Sequence, residues 1–277
     1  MQPDEARLLR EVVESYCGLR VGLDAPFFLE RRVGPRLEAL GMTSYRDYYH
    51  FLKYDPAGEA ELVELVERLT THETYFFREL YQLEAFRDDV LPELVERARR
   101  RKRILLWSAG CSTGEEVYTL AMILKEEPSL ADFRVRVIGS DISRKVVARA
   151  RQAYFGPSSF RAMDETYRKR YFQEVKGRFR LRDDVRSMCS FGQLNLMDTE
   201  RFRVLGTCDA IFCRNVLMYL SPTARNRIVD GFYDALHPGG YLFLGHSESL
   251  LHVHTRFEIV QLEKDLVYRK PIEGSER

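Results

Sequence analysis

One segment of the chain, residues 104–124, predicts a buried strand, a turn of small residues and a helix in immediate succession. The strand is the apolar run 104–107, the turn is Ala-Gly-Cys-Ser-Thr-Gly at 109–114, and apolar side chains then recur at helical spacing. In open α/β sheets, nucleotide-like ligands bind beyond the carboxyl end of such a strand, next to the helix N-terminus. The segment therefore predicts an α/β fold with a cofactor site at this turn, but it does not identify the cofactor.

The patterns along the chain predict a helical region followed by an α/β region. Before residue 71 only helical spacing is found, in the segments 6–16, 27–40, 45–52 and 59–69. Within the second of these, Pro35 is expected to kink or restart the helix, and Ser44 is expected to cap the third. From residue 83, helical segments alternate with apolar strands, which are expected at 104–107, 135–140, 210–213 and 241–245. This alternation is typical of a parallel sheet with helices on both faces.

Two hairpins are expected within the α/β region. Residues 172–182 alternate with period two around a Lys-Gly turn, which predicts a small hairpin inserted between Tyr171 and Asn195. The last apolar alternation, in residues 257–270, predicts a terminal hairpin on the main sheet.

Composition and cysteine usage restrict the class of protein. The chain is 45% hydrophobic and 31% charged, as soluble globular proteins are, and no apolar run approaches the roughly 18 residues that span a bilayer. Its charged N-terminus lacks the apolar core of a secretion signal. Its five cysteines form no C-x-x-C pair, which argues against a disulfide framework or a zinc site. A reduced, cytoplasmic protein is the expectation.

Charge is distributed unevenly along the chain. Residues 1–70 contain 9 Lys/Arg and 13 Asp/Glu, whereas residues 144–186 contain 13 Lys/Arg and 5 Asp/Glu. The second region either attracts an acidic partner or is a solvated basic face. Nucleic acid is not favoured as that partner, because no known nucleic-acid-binding module is recognisable.

Asp141 narrows the choice of cofactor. It ends the strand expected at 135–140, where an acidic side chain can accept hydrogen bonds from both ribose hydroxyl groups, although it could instead cap the next helix. The turn at 110–114 lacks the G-x-G-x-x-G spacing that holds a pyrophosphate, and Asp141 follows Gly110 by about 30 residues instead of about 20. Both differences argue against a nicotinamide dinucleotide and favour S-adenosylmethionine, which has no pyrophosphate.

Further polar residues are expected to reach the same edge of the sheet, each with a structural alternative. Glu116 follows the turn, but with Thr113 it also fits a capping box. Asn195, after the inserted hairpin, could bind an adenine edge. Arg214 and Asn215 directly follow the strand at 210–213, where a ligand contact or a strand-end cap would explain them.

Two other patterns carry less weight. Gly-His-Ser-Glu-Ser at 245–249 resembles a nucleophile elbow but lacks the second glycine. His252 and His254 would share one face of a strand, but no carboxylate or cysteine stands nearby at ligand spacing. No metal site is therefore expected.

Five ordered motifs resemble those of the chemotaxis receptor methyltransferases, the CheR type. They are T-H-E-T-Y-F-F-R-E at 71–79, W-S-A-G-C-S-T-G-E-E-V-Y at 107–118, G-S-D-I-S at 139–143, C-R-N-V-L-M-Y at 213–219 and G-H-S-E at 245–248. The likeness covers nearly the whole chain. It implies an all-α N-terminal domain (1–70), a linker with a cofactor-contacting motif (71–82) and a Rossmann-like methyltransferase domain (83–277) in which 171–194 form an inserted β-subdomain.

The resemblance also implies an activity and a set of site residues. The activity is methyl transfer from S-adenosylmethionine to the γ-carboxylate of glutamates on chemoreceptor cytoplasmic helices, leaving S-adenosylhomocysteine. Receptor contacts are expected from Arg32 and Arg36, and Arg78 and Tyr219 are expected nearest the transferred methyl group. The expected cofactor contacts are His72, Thr74, Arg78, Gly110, Glu116, Asp141, Asn195, Leu196, Arg214 and Asn215.

Three departures from the family pattern qualify these expectations. His72 stands where relatives often have Asn, and Pro35 and Glu38 stand where a basic receptor-docking helix would have arginines. The inserted hairpin also has a short turn at 175–178, which predicts an enzyme that does not use a receptor's C-terminal pentapeptide as a tether. A monomer without nucleic-acid binding or membrane insertion is expected. The alternatives are a non-catalytic module that binds the cofactor or its product, and a methyltransferase acting on nucleic acid or a small molecule.

Overall fold

Four helices form the N-terminal region of the computed structural model, which describes residues 1–22, 26–251, 253 and 255–272. They are α1 (Pro3–Cys17), α2 (Pro26–Leu40), α3 (Tyr45–Tyr54) and α4 (Gly58–Leu69). Ser44 caps α3 as predicted, because its side chain accepts a hydrogen bond from the Asp47 amide. The helix does not restart at Pro35 as one expectation had it, since α2 continues through this residue. Pro35 is exposed, so water can hydrogen-bond the carbonyl that the proline leaves free.

A seven-stranded sheet forms the centre of the second region. Its strands are β1 (Arg103–Ala109), β2 (Arg134–Asp141), β6 (Cys189–Gln193), β7 (Cys208–Cys213), β8 (Leu236–Leu244), β9 (Glu258–Gln261) and β10 (Leu266–Arg269). The order is β6-β2-β1-β7-β8-β10-β9, in which the first five strands are parallel and the terminal hairpin is antiparallel. The chain order of the strands reverses between β1 and β7, and ligands bind at such a switch point in open α/β sheets.

Helices cover both faces of this sheet, as predicted. They are α5 (Leu80–Ala85), α6 (Leu91–Ala98), α7 (Glu115–Lys125), α8 (Arg144–Gln152), α9 (Glu165–Tyr171), α10 (Asp183–Arg186) and α11 (Pro222–Ala235). Alternate side chains of β1 enter two separate cores, since Leu106 packs in the cluster that includes α7 whereas Trp107 packs in the cluster that includes α11. Burial on both faces explains why β1 reads as a continuous apolar run.

The small sheet differs from the predicted insertion at 171–194. It consists of β3 (Tyr154–Phe155), β5 (Arg178–Leu181) and β4 (Phe172–Val175), in that order. The next strand along the chain, β6, also falls within 171–194, but it pairs in parallel with β2 and belongs to the main sheet. The sequence of β6, Cys-Ser-Phe-Gly-Gln, has little apolar character because it is an edge strand with no fully buried residue, so hydrophobic patterning does not reveal it.

The N-terminal helices are joined to the edge of the main sheet at which the parallel strands end. Leu19 forms an antiparallel bridge with Leu220, and the Arg20 amide donates to the Tyr219 carbonyl at 2.8 Å. Lys145, at the start of α8, forms ion pairs with Glu64 and Glu67 of α4. These contacts place the helical domain beside the switch point. Among the described residues, none of the helices combines the length and the apolar character that crossing a bilayer requires.

Candidate functional site

A cleft of about 1230 Å³, part of it open to solvent, lies at the switch point between the two regions. The helical domain contributes apolar residues such as Cys17, Leu19 and Val66, and the sheet contributes the loops after β1, β2, β6 and β7. The residues predicted to contact the cofactor or the methyl group all line this cleft: His72, Thr74, Arg78, Gly110, Glu116, Asp141, Asn195, Leu196, Arg214, Asn215 and Tyr219.

The turn after β1 has a backbone that requires glycine at its first position. Gly110 has a φ of +83°, and a Cβ there would overlap the side chain of Val216. Its amide donates to the Ser140 carbonyl at 2.8 Å, which ties the turn to the end of β2. The turn therefore brings the backbone close to the loop after β7, and the cleft lies between them.

Asp141 is held at the end of β2 by two backbone amides. One carboxylate oxygen accepts from Ser112 at 2.8 Å and the other from Ser143 at 2.9 Å. Burial raises the pKa of Asp141, and these two hydrogen bonds oppose the shift. The helix-cap alternative is wrong, because it is the Ser143 side chain that caps α8 by accepting from the Val146 amide. A carboxylate has about four acceptor positions, so two remain for a pair of ribose hydroxyls.

A buried arginine links the loop after β7 to α7. The Arg214 side chain is 2% exposed and forms ion pairs with Glu79 at 3.0 Å and Glu116 at 3.1 Å. It also donates to the Gln82 side chain at 2.8 Å and to the Arg78 carbonyl at 2.6 Å. Four hydrogen bonds satisfy most of the five guanidinium donors.

The pKa values of the two carboxyls beside Arg214 are shifted in opposite directions. Burial raises the pKa of the Glu116 carboxyl above its ordinary value, although Arg214 opposes the shift. Burial acts in the same direction on Glu79, but the charge and hydrogen bonds of Arg214 prevail there and lower its pKa. The capping-box alternative for Glu116 is wrong, because α7 begins after Gly114 and the Glu116 side chain accepts from Ser108 instead.

The segment 72–79 crosses the cleft in an irregular conformation fixed by contacts on several sides. Phe77 and Glu79 have φ values of +57° and +54°, which are uncommon for residues with a side chain. The Phe76 amide donates to the Ser159 carbonyl, and the Ser112 hydroxyl donates to the His72 carbonyl. Non-glycine residues with positive φ concentrate at functional sites, where surrounding contacts must hold them.

Arg78 lies on this segment, and among the described residues its guanidinium forms no ion pair. It donates to the Glu73 carbonyl at 2.9 Å and lies 5.8 Å from the centre of the Tyr75 ring. Tyr219, which also lines the cleft, belongs to a short turn after β7 and is 45% exposed. Tyr219 is therefore not a core residue.

Asn195 has a structural contact that its sequence position does not indicate. Its amide nitrogen donates to the Tyr16 carbonyl at 2.7 Å, and its amide oxygen accepts from the Met197 amide at 3.0 Å. The side chain thus joins α1 to the loop after β6, and a contact between its remaining N–H and an adenine edge stays a prediction. Leu196 lies beside it on the cleft wall.

The two predicted receptor contacts lie outside the cleft and differ from each other. Arg32 is exposed on α2, with its guanidinium 5.3 Å from the centre of the Phe28 ring. Arg36 instead forms a two-pronged ion pair with buried Glu61, which also accepts a hydrogen bond from Tyr48. The prediction for Arg36 is therefore corrected: its guanidinium already has an internal partner.

Several residues of the site were missed by sequence reasoning. Gln82, Glu79 and Ser112 hold Arg214, the loop after β7 and Asp141, respectively, but none has a spacing that signals such a contact. Glu79 stands next to Arg78 in the motif at 71–79, and this position was the only sequence feature that indicated a role for Glu79. These partners become visible only once the fold brings them together.

The cleft fits the cofactor that the sequence predicts. The glycine turn, the free acceptor positions of Asp141 and the apolar wall from the helical domain suit S-adenosylmethionine, whose ribose needs an acceptor and whose adenine needs apolar contact. In the described part of the chain, no cluster of three or more His, Cys, Asp or Glu side chains could hold a metal ion. His252 and His254 lie outside the described residues.

Family models and curated relatives match most of the chain. The family model described as "CheR methyltransferase, SAM binding domain" matches residues 72–266, and "CheR methyltransferase, all-alpha domain" matches residues 4–70. The chain is 37% identical to chemotaxis protein methyltransferase 2 of Vibrio cholerae serotype O1, over 90% of this chain and 86% of that protein. It is 32% identical to chemotaxis protein methyltransferase 1 of Pseudomonas aeruginosa, over 95% and 96%. Among solved structures, magnesium protoporphyrin IX methyltransferase from Synechocystis PCC 6803 is 16% identical, with a TM-score of 0.38 over 87% of this chain and 97% of that one.

Proposed function

This chain belongs to the CheR methyltransferase family, and from that premise we propose that it methylates the γ-carboxylate of glutamates on the cytoplasmic helices of chemoreceptors. It is an S-adenosylmethionine-dependent methyltransferase of chemotaxis, built from an all-α domain and a Rossmann-like cofactor-binding domain. The methyl group leaves the sulfonium of the cofactor and forms an ester with the glutamate oxygen, so the products are a glutamate methyl ester and S-adenosylhomocysteine. The acceptor and its location on a receptor are the proposed part.

One observation carries the proposal. Residues from five separated segments, at 72–78, 110–116, 141, 195–196 and 214–219, line a single cleft whose mouth is open to solvent. An open mouth suits an acceptor on the surface of another protein. S-adenosylmethionine, when bound, supplies an activated methyl group.

The chain's own residues need to orient the acceptor and exclude water, not to remove a proton. A glutamate carboxyl has an ordinary pKa of about 4.3 and is ionised at neutral pH, so it is already a nucleophile. Alignment of two reacting groups can contribute up to about 7–11 kcal/mol in favourable cases. Arg78 and Tyr219 both line the cleft, and we assign them this positioning of the acceptor.

Replacing Arg78 by alanine is expected to lower kcat on receptor fragments at least about tenfold, because a misplaced acceptor reacts much more slowly. Arg78→Lys keeps the charge but lacks the planar fork, so it should recover only part of the loss. Turnover is measured with labelled cofactor, and S-adenosylhomocysteine affinity by calorimetry. If Arg78→Ala retains both affinity and turnover, Arg78 has no role in the reaction.

Arg32 and Arg36 offer a matched pair for locating the receptor surface. Arg32→Ala removes an exposed cation, so KM for the receptor fragment should rise severalfold with an unchanged melting temperature. Arg36→Ala leaves buried Glu61 without its cation, so it should lower the melting temperature instead. Steady-state kinetics and thermal unfolding of both variants distinguish the two effects. Equal rises in KM at equal stability would instead return Arg36 to the docking surface.

The short inserted hairpin supports binding without a tether. Only Lys176 and Gly177, both with positive φ, connect β4 to β5, so the turn has no spare residues with which to enclose a peptide. We propose that the enzyme acts as a cytoplasmic monomer and engages receptors without a C-terminal pentapeptide. Tight calorimetric binding of such a peptide would contradict this.

A labelling experiment tests the proposed reaction itself. The protein is incubated with methyl-labelled S-adenosylmethionine and a receptor cytoplasmic fragment. We expect base-labile label on the fragment, lost when its methylatable glutamates are changed to alanine. Base-stable label, or label on the alanine variant, would exclude a glutamate ester, and absence of turnover with normal cofactor binding would favour a non-catalytic module.

A further inference from the structure

Glu248 receives four backbone hydrogen bonds at the edge of the cleft. It lies in the loop after β8 and is partly buried. One carboxylate oxygen accepts from the amides of Gly245 at 2.8 Å and Asn215 at 2.7 Å. The other accepts from the amides of Val216 at 2.9 Å and Met218 at 3.0 Å. Three of the four donors therefore belong to the loop 214–219, which follows β7 and contains Tyr219.

The loop 214–219 needs such an anchor because its backbone is irregular. Asn215 has a φ of +60°, and the amides of 215, 216 and 218 converge on one point. Convergent amides form a concavity that binds an anion, and bonds from amides to a carboxylate are stronger than those between neutral groups. Gly245 permits the close approach, since a Cβ there would lie 2.8 Å from the Asn215 nitrogen.

The two ends of the loop are held by other contacts. Arg214 is fixed by Gln82, Glu79 and Glu116. The Tyr219 carbonyl accepts from the Arg20 amide. Between these ends, the Asn215 side chain donates to Glu79 at 3.4 Å, and the amides of 215, 216 and 218 are held by the Glu248 carboxylate.

We propose that Glu248 is a positioning residue for methyl transfer, which acts by holding the loop 214–219 so that Tyr219 and Asn215 face the cleft. This rests on the proposed function, and it assigns a task to the Gly-His-Ser-Glu motif that the sequence left unexplained. Loss of the carboxylate should impair turnover more than cofactor affinity, because the contacts of Arg214 and Asp141 persist.

The test compares Glu248→Gln with a matched control. Glutamine has the shape of glutamate, but its NH₂ group cannot accept hydrogen bonds from the two amides that face it. These amides lose their partner, so the loop must open. Glu127→Gln is the control, because Glu127 also accepts a backbone bond, from Ser129 at 3.0 Å, in the turn that precedes β2 at the opposite edge of the sheet. Hydrogen exchange of the segment 214–219, S-adenosylhomocysteine affinity and kcat on a receptor fragment are measured for each protein.

For Glu248→Gln we expect exchange in 214–219 to be at least about tenfold faster, because the protecting bonds are lost. We expect kcat to be at least about tenfold lower, with affinity within about threefold of the wild type. Glu127→Gln should match the wild type in all three. In Glu248→Ala, added formate should restore part of the turnover by occupying the amide concavity, whereas chloride at equal ionic strength should not.

Unchanged exchange in 214–219, or unchanged kcat in a folded Glu248→Gln, would overturn the proposal, as would a loss of affinity equal to the loss of kcat. If Glu248→Gln does not fold, the response of Glu248→Ala to formate and that of Glu248→Asp decide it. Hydrogen exchange of the segment 214–219 and affinity for S-adenosylhomocysteine are both measured without a receptor fragment, so they do not depend on the proposed acceptor. A wild-type protein that methylates no receptor fragment would therefore count against the proposed function, while unaltered exchange would count against the role of Glu248.

Discussion

Replacing Arg214 by methionine is expected to lower the free energy of unfolding by about 3–5 kcal/mol, because it leaves two partly buried carboxylates without their cation. Methionine retains the apolar stem of the side chain, so the loss reflects the guanidinium. Glu79 and Glu116 both form ion pairs with Arg214, whose side chain is only 2% exposed. Urea denaturation followed by circular dichroism measures the effect.

The loss should depend on pH in a direction set by Glu116. Burial raises its pKa and Arg214 opposes that shift, so removing Arg214 raises the pKa further. An acid whose pKa is higher in the folded state destabilises the fold as pH rises above its unfolded value of about 4.3. The loss of unfolding free energy in Arg214→Met, relative to the wild type, should therefore be smaller at pH 5 than at pH 8.

Two further variants make the Arg214 result specific. Adding Glu116→Gln to Arg214→Met should recover part of the stability, because one unpaired charge is gone. Arg7→Ala breaks an exposed i,i+4 pair with Glu11, in which both side chains are more than half exposed, and should cost at most about 0.5 kcal/mol. A loss below about 1 kcal/mol in Arg214→Met would mean that water reaches the site and replaces the arginine.

Changing Asp141 to asparagine is expected to weaken the binding of S-adenosylhomocysteine at least about 100-fold. The carboxylate accepts from the amides of Ser112 and Ser143 and has two acceptor positions left for the ribose. Asparagine replaces one oxygen with a donor, so it cannot keep both amides and accept from both hydroxyls. Hydrogen bonds to a charged group contribute about 1.5–3 kcal/mol each, and 1.4 kcal/mol is tenfold in affinity. Isothermal calorimetry measures the change.

Ser143→Ala is the matched control for Asp141. It removes the cap of α8, in which the Ser143 hydroxyl accepts from Val146 at 3.2 Å, and should cost about 1 kcal/mol of stability. Its cofactor affinity should stay close to that of the wild type, because the Ser143 amide and Asp141 are unchanged. An affinity of Asp141→Asn within fivefold of the wild type would show that the ribose has other partners.

The local features of the site could be predicted from sequence because they are encoded in short segments. The apolar run of β1, the small residues of the turn and the helical spacing of α7 identify a strand, turn and helix within 21 residues, and this unit is present in the structure. The same holds for Ser44 as a cap and for the terminal hairpin. Each of these depends on neighbours in the chain, so pattern and propensity suffice.

The roles of individual polar side chains could not be predicted, because their partners lie far away in the chain. Arg36 fits a docking surface by sequence, but Glu61 binds it. Asn195 stands where an adenine contact is expected, but its side chain holds the Tyr16 carbonyl, 179 residues away. Pairings at such separation are set by the packing of whole helices and loops, which no local pattern records.

The sequence by itself determined the α/β region, the glycine turn at 110–114, the acidic end of β2 and, through five ordered motifs, the family. Only the tertiary structure decided that β6 completes the main sheet, that the helical domain forms a wall of the cleft and that Arg214 lies buried between two carboxylates. The physical reason is the range of the interactions. A turn needs only its own residues, whereas a buried charge is stable only where distant segments supply its partners.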